Sequence, residues 1–142
     1  MSMYKTFQTD SKLEQEGIYI DYGSFRVKIA RAGGHNLRYT KALEAAVQPY
    51  KRMIATNSLE EGIGNAIMHD VYARTLVLNW ETRRDNEWVS GIEAEDGSVL
   101  PFSPENVILT FQKLPDLFAD IQAQAQNQSL YRREIMEGDA KN

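Results

Sequence analysis

Two stretches of this 142-residue chain alternate apolar and polar residues, and several others repeat apolar residues at helical spacing. Ile18-Tyr19-Ile20-Asp21-Tyr22 and Phe25-Arg26-Val27-Lys28-Ile29 flank Gly23-Ser24, a two-residue turn signal. A hairpin centred there pairs Tyr22 with Phe25, Ile20 with Val27 and Ile18 with Ile29 on one apolar face. The other face pairs Asp21 with Arg26 and Tyr19 with Lys28. A one-residue slip would scramble both faces, so the register is strongly implied. Residues 1–15 carry no period and read as a loose N-terminal tail.

Helical spacing begins after Gly33-Gly34. Asn36 stands where a cap would start a helix over about 37–55, with Leu43, Val47, Tyr50 and Ile54 as its stripe. Pro49 lies inside that stripe and should kink or split the helix. Ser58-Leu59-Glu60-Glu61 has the spacing of a capping box, and a central helix is expected over about 59–80. Its apolar residues, Ile63, Ile67, Val71, Leu76, Val77, Leu78 and Trp80 among them, cover much of its circumference. Gly62 and Gly64 each cost about 1 kcal/mol relative to Ala, so its first turn should be loose. Residues 81–87 are polar and read as a surface loop. Residues 88–94 and 98–102 form a second expected hairpin around Asp96-Gly97, with Pro101 keeping the return strand short or at an edge. Ser103-Pro104 starts a helix carrying Val107, Ile108, Phe111 and Leu114, and Pro115 ends it. A further stripe of Leu117, Phe118 and Ile121 runs into a Gln- and Ala-rich segment. Helical structure is expected over 103–137, although residues beyond 122 have little to bury alone. The expectation is one domain over 1–142, of α+β class and predominantly helical. Two small β-hairpins, 18–31 and 88–102, pack against about four helices, from 37–80 and 103–137.

Composition excludes more than it assigns. Hydrophobic residues make up 42% and charged residues 25%, ordinary globular usage that argues against wholesale disorder. The absence of cysteine removes disulfides, thiolate metal sites and a Cys nucleophile. No apolar run approaches the ~18 residues of a membrane span, and the polar N-terminus does not read as a signal peptide. Charge is polarised. Residues 24–54 hold seven basic residues against Glu44, whereas 55–142 hold seven basic and fifteen acidic residues. Such a chain can use its basic front for an anionic partner, or match its two halves within the fold or between copies.

Chemistry-bearing patterns are sparse. His35 lies in the Gly-Gly loop and His69 in the expected central helix, next to Asp70, a neighbour it would not face on a helix. No HExxH, GxSxG, phosphate-loop or EF-hand pattern occurs, so no catalytic, cofactor or metal site is expected and the chain does not read as an enzyme. Gly33-Gly34 lacks the further glycine spacing of a phosphate cradle. Glu93, Glu95 and Asp96 read as a solvated hairpin tip. Arg26, Lys28, Arg38 and Lys41 with Tyr19 and Tyr39 would make a basic aromatic face for nucleic acid, an unfavoured reading in an acidic chain without a recognition motif. The stripe of Phe111, Leu117, Phe118 and Ile121 is either core or an outward face for a partner helix. A charge at Leu117 or Ile121 separates the two. A partner face would lose binding with the melt unchanged, and core would lose the melt itself.

The run from Tyr22 to Gly34, YGSFRVKIARAGG, resembles the front of a family of small tail assembly chaperones of long-tailed bacteriophages (siphophages) and prophages. Lys41-Ala42-Leu43-Glu44, Pro49-Tyr50-Lys51-Arg52 and Leu78-Asn79-Trp80-Glu81 are similar to the same family. So are Leu100-Pro101-Phe102-Ser103-Pro104-Glu105-Asn106, the run LPDLFADIQ from Leu114 to Gln122, and the ending Asp139-Ala140-Lys141-Asn142. The resemblance spans about residues 18–142. It implies a non-enzymatic protein of the host cytoplasm, absent from the mature virion. Such a protein binds the long helical tape-measure protein, keeps it soluble and helps recruit major tail (tube) subunits. In many such phages a ribosomal frameshift also makes a longer form. Many weak copies along one partner would act multivalently, which makes a homo-oligomer an expectation; no membrane partner is expected, and an anion- or nucleic-acid-binding module using the basic 24–54 segment is the second alternative, with nucleic acid the unfavoured partner. The alternative reading within the same biology is a structural minor tail or connector protein of the virion.

Overall fold

A computed structural model describes residues 2–132. The expected first hairpin forms in the expected register. Strand β1 (Ile18–Asp21) and strand β2 (Phe25–Ile29) pair Ile18 with Ile29, Tyr19 with Lys28, Ile20 with Val27 and Asp21 with Arg26. Gly23 takes a positive φ of 94°, and Tyr22 stacks on Phe25 with ring centroids 4.8 Å apart.

The hairpin is half of a larger sheet. Strand β3 (Val77–Arg84) pairs with β2, and β4 (Glu87–Ser90) pairs with β3, giving the antiparallel order β1-β2-β3-β4. This corrects two expectations, the helix reaching residue 80 and the loop over 81–87. Asp85 and Asn86 both adopt positive φ, 51° and 64°, and close β3 onto β4 as a two-residue turn. The helix reading failed because β3 carries an extra residue. Asn79 faces Lys28 and Val77 faces Ile29, so Leu78 has no partner of its own. That bulge places Val77 and Trp80, three residues apart, on one face, a spacing that mimics a helix.

Gly91 splits the expected second hairpin. It holds φ at 98°, where an added Cβ would lie 3.1 Å from the Leu100 carbonyl oxygen. Residues before it stay in the main sheet. Residues after it form a separate small hairpin of β5 (Ile92–Glu93) and β6 (Val99–Leu100). Thr82 ties the two sheets together. Its Oγ1 donates to the Gly91 carbonyl at 2.8 Å and accepts from the Glu93 amide at 3.1 Å.

Helices cover the apolar face of the sheet. Helix α5 (Glu61–Thr75) contributes Val71, Tyr72 and Ala73, α6 (Pro104–Lys113) contributes Val107 and Phe111, and α7 (Pro115–Ala125) contributes Phe118, Ile121 and Ala125. They close on Val27, Ile29, Val77 and Trp80. The mixed α+β class is therefore the one expected. Helix α3 (Leu37–Val47), a 3₁₀ turn at Gln48–Tyr50 and the short α4 (Lys51–Ala55) complete the middle of the chain. Pro49 sits in that 3₁₀ turn and splits the helix as anticipated.

Both caps assigned to this region act differently. Asn36 does not cap α3; its Nδ2 donates to the Arg31 carbonyl at 2.8 Å. Ser58 does not box α5. Its Oγ bonds back to the Met53 carbonyl and meets the Thr56 hydroxyl, closing α4, and α5 begins at Glu61 without a side-chain cap. Moreover, no residue over 37–70 is buried. The expected central helix is central only in its last turns, and α3, α4 and the first half of α5 form a half-exposed helical arm.

The N-terminal tail is folded too. Helix α1 (Met3–Phe7) stands exposed, while α2 (Ser11–Glu16), capped by Asp10, buries Glu14 completely. The Glu14 carboxylate accepts from Arg31 Nη1 at 2.7 Å, His35 Nδ1 at 2.7 Å, the His35 amide at 3.2 Å and Thr9 Oγ1 at 2.9 Å. An ionised carboxylate only accepts, so His35 carries its proton on Nδ1. The C-terminal segment closes the same region. Tyr131 is fully buried, its hydroxyl donates to the Ile29 carbonyl at 3.1 Å, and its own carbonyl accepts from the Asp10 amide at 2.8 Å. Hence residues 122–132 have an intramolecular reason to order that their composition did not reveal. The remainder of the expected 103–137 helical region lies outside the described residues.

Burial opposes ionisation of Glu14, but the hydrogen bonds from His35, Thr9 and Arg31 outweigh it and hold the carboxyl below its ordinary value of 4.5. A carboxyl that titrates lower when folded stabilises the fold fully above its unfolded value. That contribution fades as the pH falls through the folded one. Glu14→Gln should cost about 3 kcal/mol at pH 7, because Arg31 is left without its counter-charge. It should also flatten the acid limb of stability below about pH 4.5. Urea unfolding of both proteins at pH 7 and pH 4 measures the two effects.

Candidate functional site

An apolar cleft of about 140 Å³ opens between the inner face of the sheet and the C-terminal helices. Phe25, Val27, Val77 and Trp80 form its floor. Val107, Thr110 and Phe111 of α6, with Leu117 and Ile121 of α7, form one wall, and Ile92 and Glu93 of β5 form the other. A space of that size accommodates one side chain about as large as benzene. Leu114, between the two helices, stands 53% exposed at the lip, and Leu109 on α6 is similarly uncovered.

Local chemistry fixes this wall. Ser103 Oγ caps α6 by accepting from the Asn106 amide at 3.1 Å, and Pro104 occupies the first turn. Asn106 Nδ2 donates to the Pro101 carbonyl at 2.9 Å, tying α6 to the end of the small hairpin. Pro115 lacks an amide proton, so α6 stops there and α7 restarts at a new angle. Tyr22 then anchors α7 to the first hairpin by donating to Asp120 Oδ2 at 2.6 Å. Burial, together with the Asp120 carboxylate, pushes the Tyr22 phenol well above its ordinary value and keeps it a donor. Trp80 Nε1 donates to the Leu100 carbonyl at 3.1 Å, so the floor is pinned as well.

The four residues suggested as a partner face do not make an outward face. Phe111 and Ile121 are each 1% exposed and Phe118 is 8% exposed, while Leu117 is half-buried. The stripe turns inward because the uncovered apolar face of the sheet lies directly beneath it. Three of the four, Phe111, Leu117 and Ile121, meet again as lining of the cleft. Phe118 belongs elsewhere. It packs edge-on against His69 at 4.5 Å and Tyr72 at 5.4 Å, and tilted against Phe111 at 4.7 Å. His69 is therefore part of an aromatic cluster, and burial lowers its pKa. Burial pushes the Tyr72 phenol up to about 12. Leu114, Val77 and Trp80 were missed as site residues. The latter two were hidden by the helix reading of 76–80, and Leu114 was counted with the buried stripe.

Glu93 and Thr110 are the polar residues that line the cleft, and Glu93 also borders an adjoining depression lined by Arg83 and Glu95. Asp96 at the hairpin tip accepts from the Ser98 hydroxyl and amide, which lowers its pKa. By contrast, the proposed basic aromatic face is divided. Arg26 and Lys28 lie on the outer sheet face, where the Arg26 guanidinium sits 3.9 Å from the Tyr19 ring centroid and 4.5 Å from that of Trp88. Arg26 also pairs with Glu81 at 2.6 Å. Arg38 and Lys41 belong to the arm, and Tyr39 packs edge-on against Tyr72. Among the described residues no helix is long and apolar enough to cross a membrane, and no group of three or more His, Asp or Glu is placed to hold a metal ion.

A protein-family model described as YdaY prophage protein matches residues 33–142. No curated protein matches the chain, and no solved structure matches it.

Ile121→Asp should lower stability by about 3–5 kcal/mol, since it places a carboxylate at a fully buried apolar position. Leu114→Asp, at the exposed lip, should change stability by no more than about 0.5 kcal/mol. Thermal and urea melts of the two variants against wild type measure the difference.

Proposed function

The chain belongs to the YdaY prophage protein family, and on that footing we propose that it is a tail assembly chaperone that binds the tape-measure protein and promotes assembly of the tail tube. The reading rests on the resemblance of residues 18–142 to such chaperones. The one structural observation that carries it is the apolar cleft between the sheet and α6–α7. A long amphipathic helix kept from aggregating needs its large apolar side chains covered one at a time. A cleft of about 140 Å³ has the room to cover one such side chain per copy, which supports the reading. Individual contacts of that size are weak, and a tape-measure helix presents many of them, so binding gains strength from repetition. The role requires no catalysis. In this reading the protein acts inside the host cell during assembly and recruits tube subunits to the coated tape measure.

Leu114→Asp tests the cleft without opening the core. Captured on a resin with recombinant tape-measure fragments, the wild-type chain should retain a helical fragment. Leu114→Asp should bind it at least about tenfold more weakly, with its melt near wild type. Failure of the wild type to retain any fragment, or recovery of the protein as a constituent of purified virions, would replace the chaperone reading with that of a minor tail or connector component.

A further inference from the structure

The cleft is apolar except at two residues, and only one of them has a polar group to spare. The Thr110 hydroxyl is spent within α6, where it donates to the Asn106 carbonyl at 2.9 Å. The Glu93 amide is spent on Thr82 Oγ1 at 3.1 Å. The Glu93 carboxylate is left over: the residue is exposed, and among the described residues it makes no side-chain hydrogen bond or ion pair. Water satisfies it while the cleft stands open. A helix laid across the mouth removes part of that water, and an exposed carboxylate that loses its water without gaining a partner opposes binding. We propose that Glu93 selects which helices the cleft accepts, namely those that place a Lys or Arg one turn from the large apolar side chain that enters. The proposal rests on the cleft being the client site, as above, and adds the second residue that a client must carry.

The surroundings of Glu93 favour a cation at that place. Cleft and adjoining depression share Phe25, Ile92 and Glu93, so Glu93 stands where apolar space gives way to polar space. Glu95 and Arg83 line the depression alone and oppose each other in sign. The Arg83 guanidinium lies 5.6 Å from the Trp88 ring centroid on the outer sheet face. The Asp96 carboxylate at the hairpin tip is held by Ser98 first, and Lys113 adds to that hold. Glu93 is thus the one charge that lines the apolar space itself. Residues four apart on a helix have Cβ atoms about 5–6 Å apart, so an anchor and a cation at that spacing lie side by side. The stem of a Lys or Arg can cover apolar surface while its head reaches the carboxylate. A client with Glu at the same place meets a like charge and is rejected.

Alanine-based helical peptides of about 18 residues test this with the full chain. One carries Phe with Lys four residues on, a second Phe with Glu there, and a third replaces Phe by Ala and keeps Lys. The Trp80 indole proton, which bonds to the Leu100 carbonyl at the cleft floor, reports entry in a heteronuclear NMR titration. The Phe/Lys peptide should bind about fivefold more tightly than the Phe/Glu peptide at low salt, the size of effect an exposed charge contributes. The difference should shrink below about twofold at 0.5 M salt. The peptide without Phe should leave Trp80 unmoved. Glu93→Gln should erase the preference and Glu93→Lys invert it, each with a melt near wild type. Equal affinity for the Lys and Glu peptides overturns the proposal, as does a preference that survives Glu93→Gln or a Trp80 signal that no peptide moves. Where the wild type still retains a tape-measure fragment in those cases, this inference falls and the chaperone reading stands. A Lys preference with no fragment retained keeps Glu93 as the selector and removes the tape measure as its client.

Discussion

A four-stranded antiparallel sheet with one apolar face cannot stand in water alone, and the arrangement of this molecule follows from how that face is covered. Ile29, Val27, Trp80 and Val77 present it, and the last turns of α5 with α6 and α7 close over it. Cover by two short helices joined at a proline is incomplete where α6 turns into α7. The shortfall is the cleft. Trp80 and Thr82 hold the edges of that shortfall in place by bonding to Leu100, Gly91 and Glu93, so it is a feature of the packing and not of a mobile side chain.

A second device, built around one carboxylate, joins residues 9–14 to the loop after β2. Glu14 draws Thr9, Arg31 and His35 onto one buried point, and Gly34 lies so close that a Cβ there would collide with the Glu14 carboxylate. Gly34 also holds φ at 56°, so glycine is required twice over. Tyr131 completes the closure through the Ile29 carbonyl and the Asp10 amide. The result fixes the start of the arm, because the loop that Glu14 clamps leads directly into α3.

Arm and cleft are therefore set by two separate constraints, one polar at Glu14 and one apolar at the sheet face. The core bears the stability, so the arm can stay half-exposed without unfolding the rest.

The first hairpin was legible in the sequence down to its register, because period-two alternation on both sides of Gly23-Ser24 leaves only one way to bury one face. The split of α3 at Pro49 and the start of α6 at Ser103-Pro104 were legible for equally local reasons. Other features depended on distant neighbours. Strand β3 was concealed by the bulge at Leu78, which gives Val77 and Trp80 a helical spacing that only pairing with β2 resolves. The polar run over 81–87 became strand and turn because β2 offered an edge. Phe111, Leu117, Phe118 and Ile121 read as one stripe, but no period tells whether a stripe faces a partner or the molecule's own sheet. The sequence by itself determined the first hairpin, the break at Pro49 and the start of α6, where each residue's preference depends on neighbours within a turn or two. Only the tertiary structure decided the cleft, the buried Glu14 and the inward turn of α7, because each exists through contact between residues far apart in the chain.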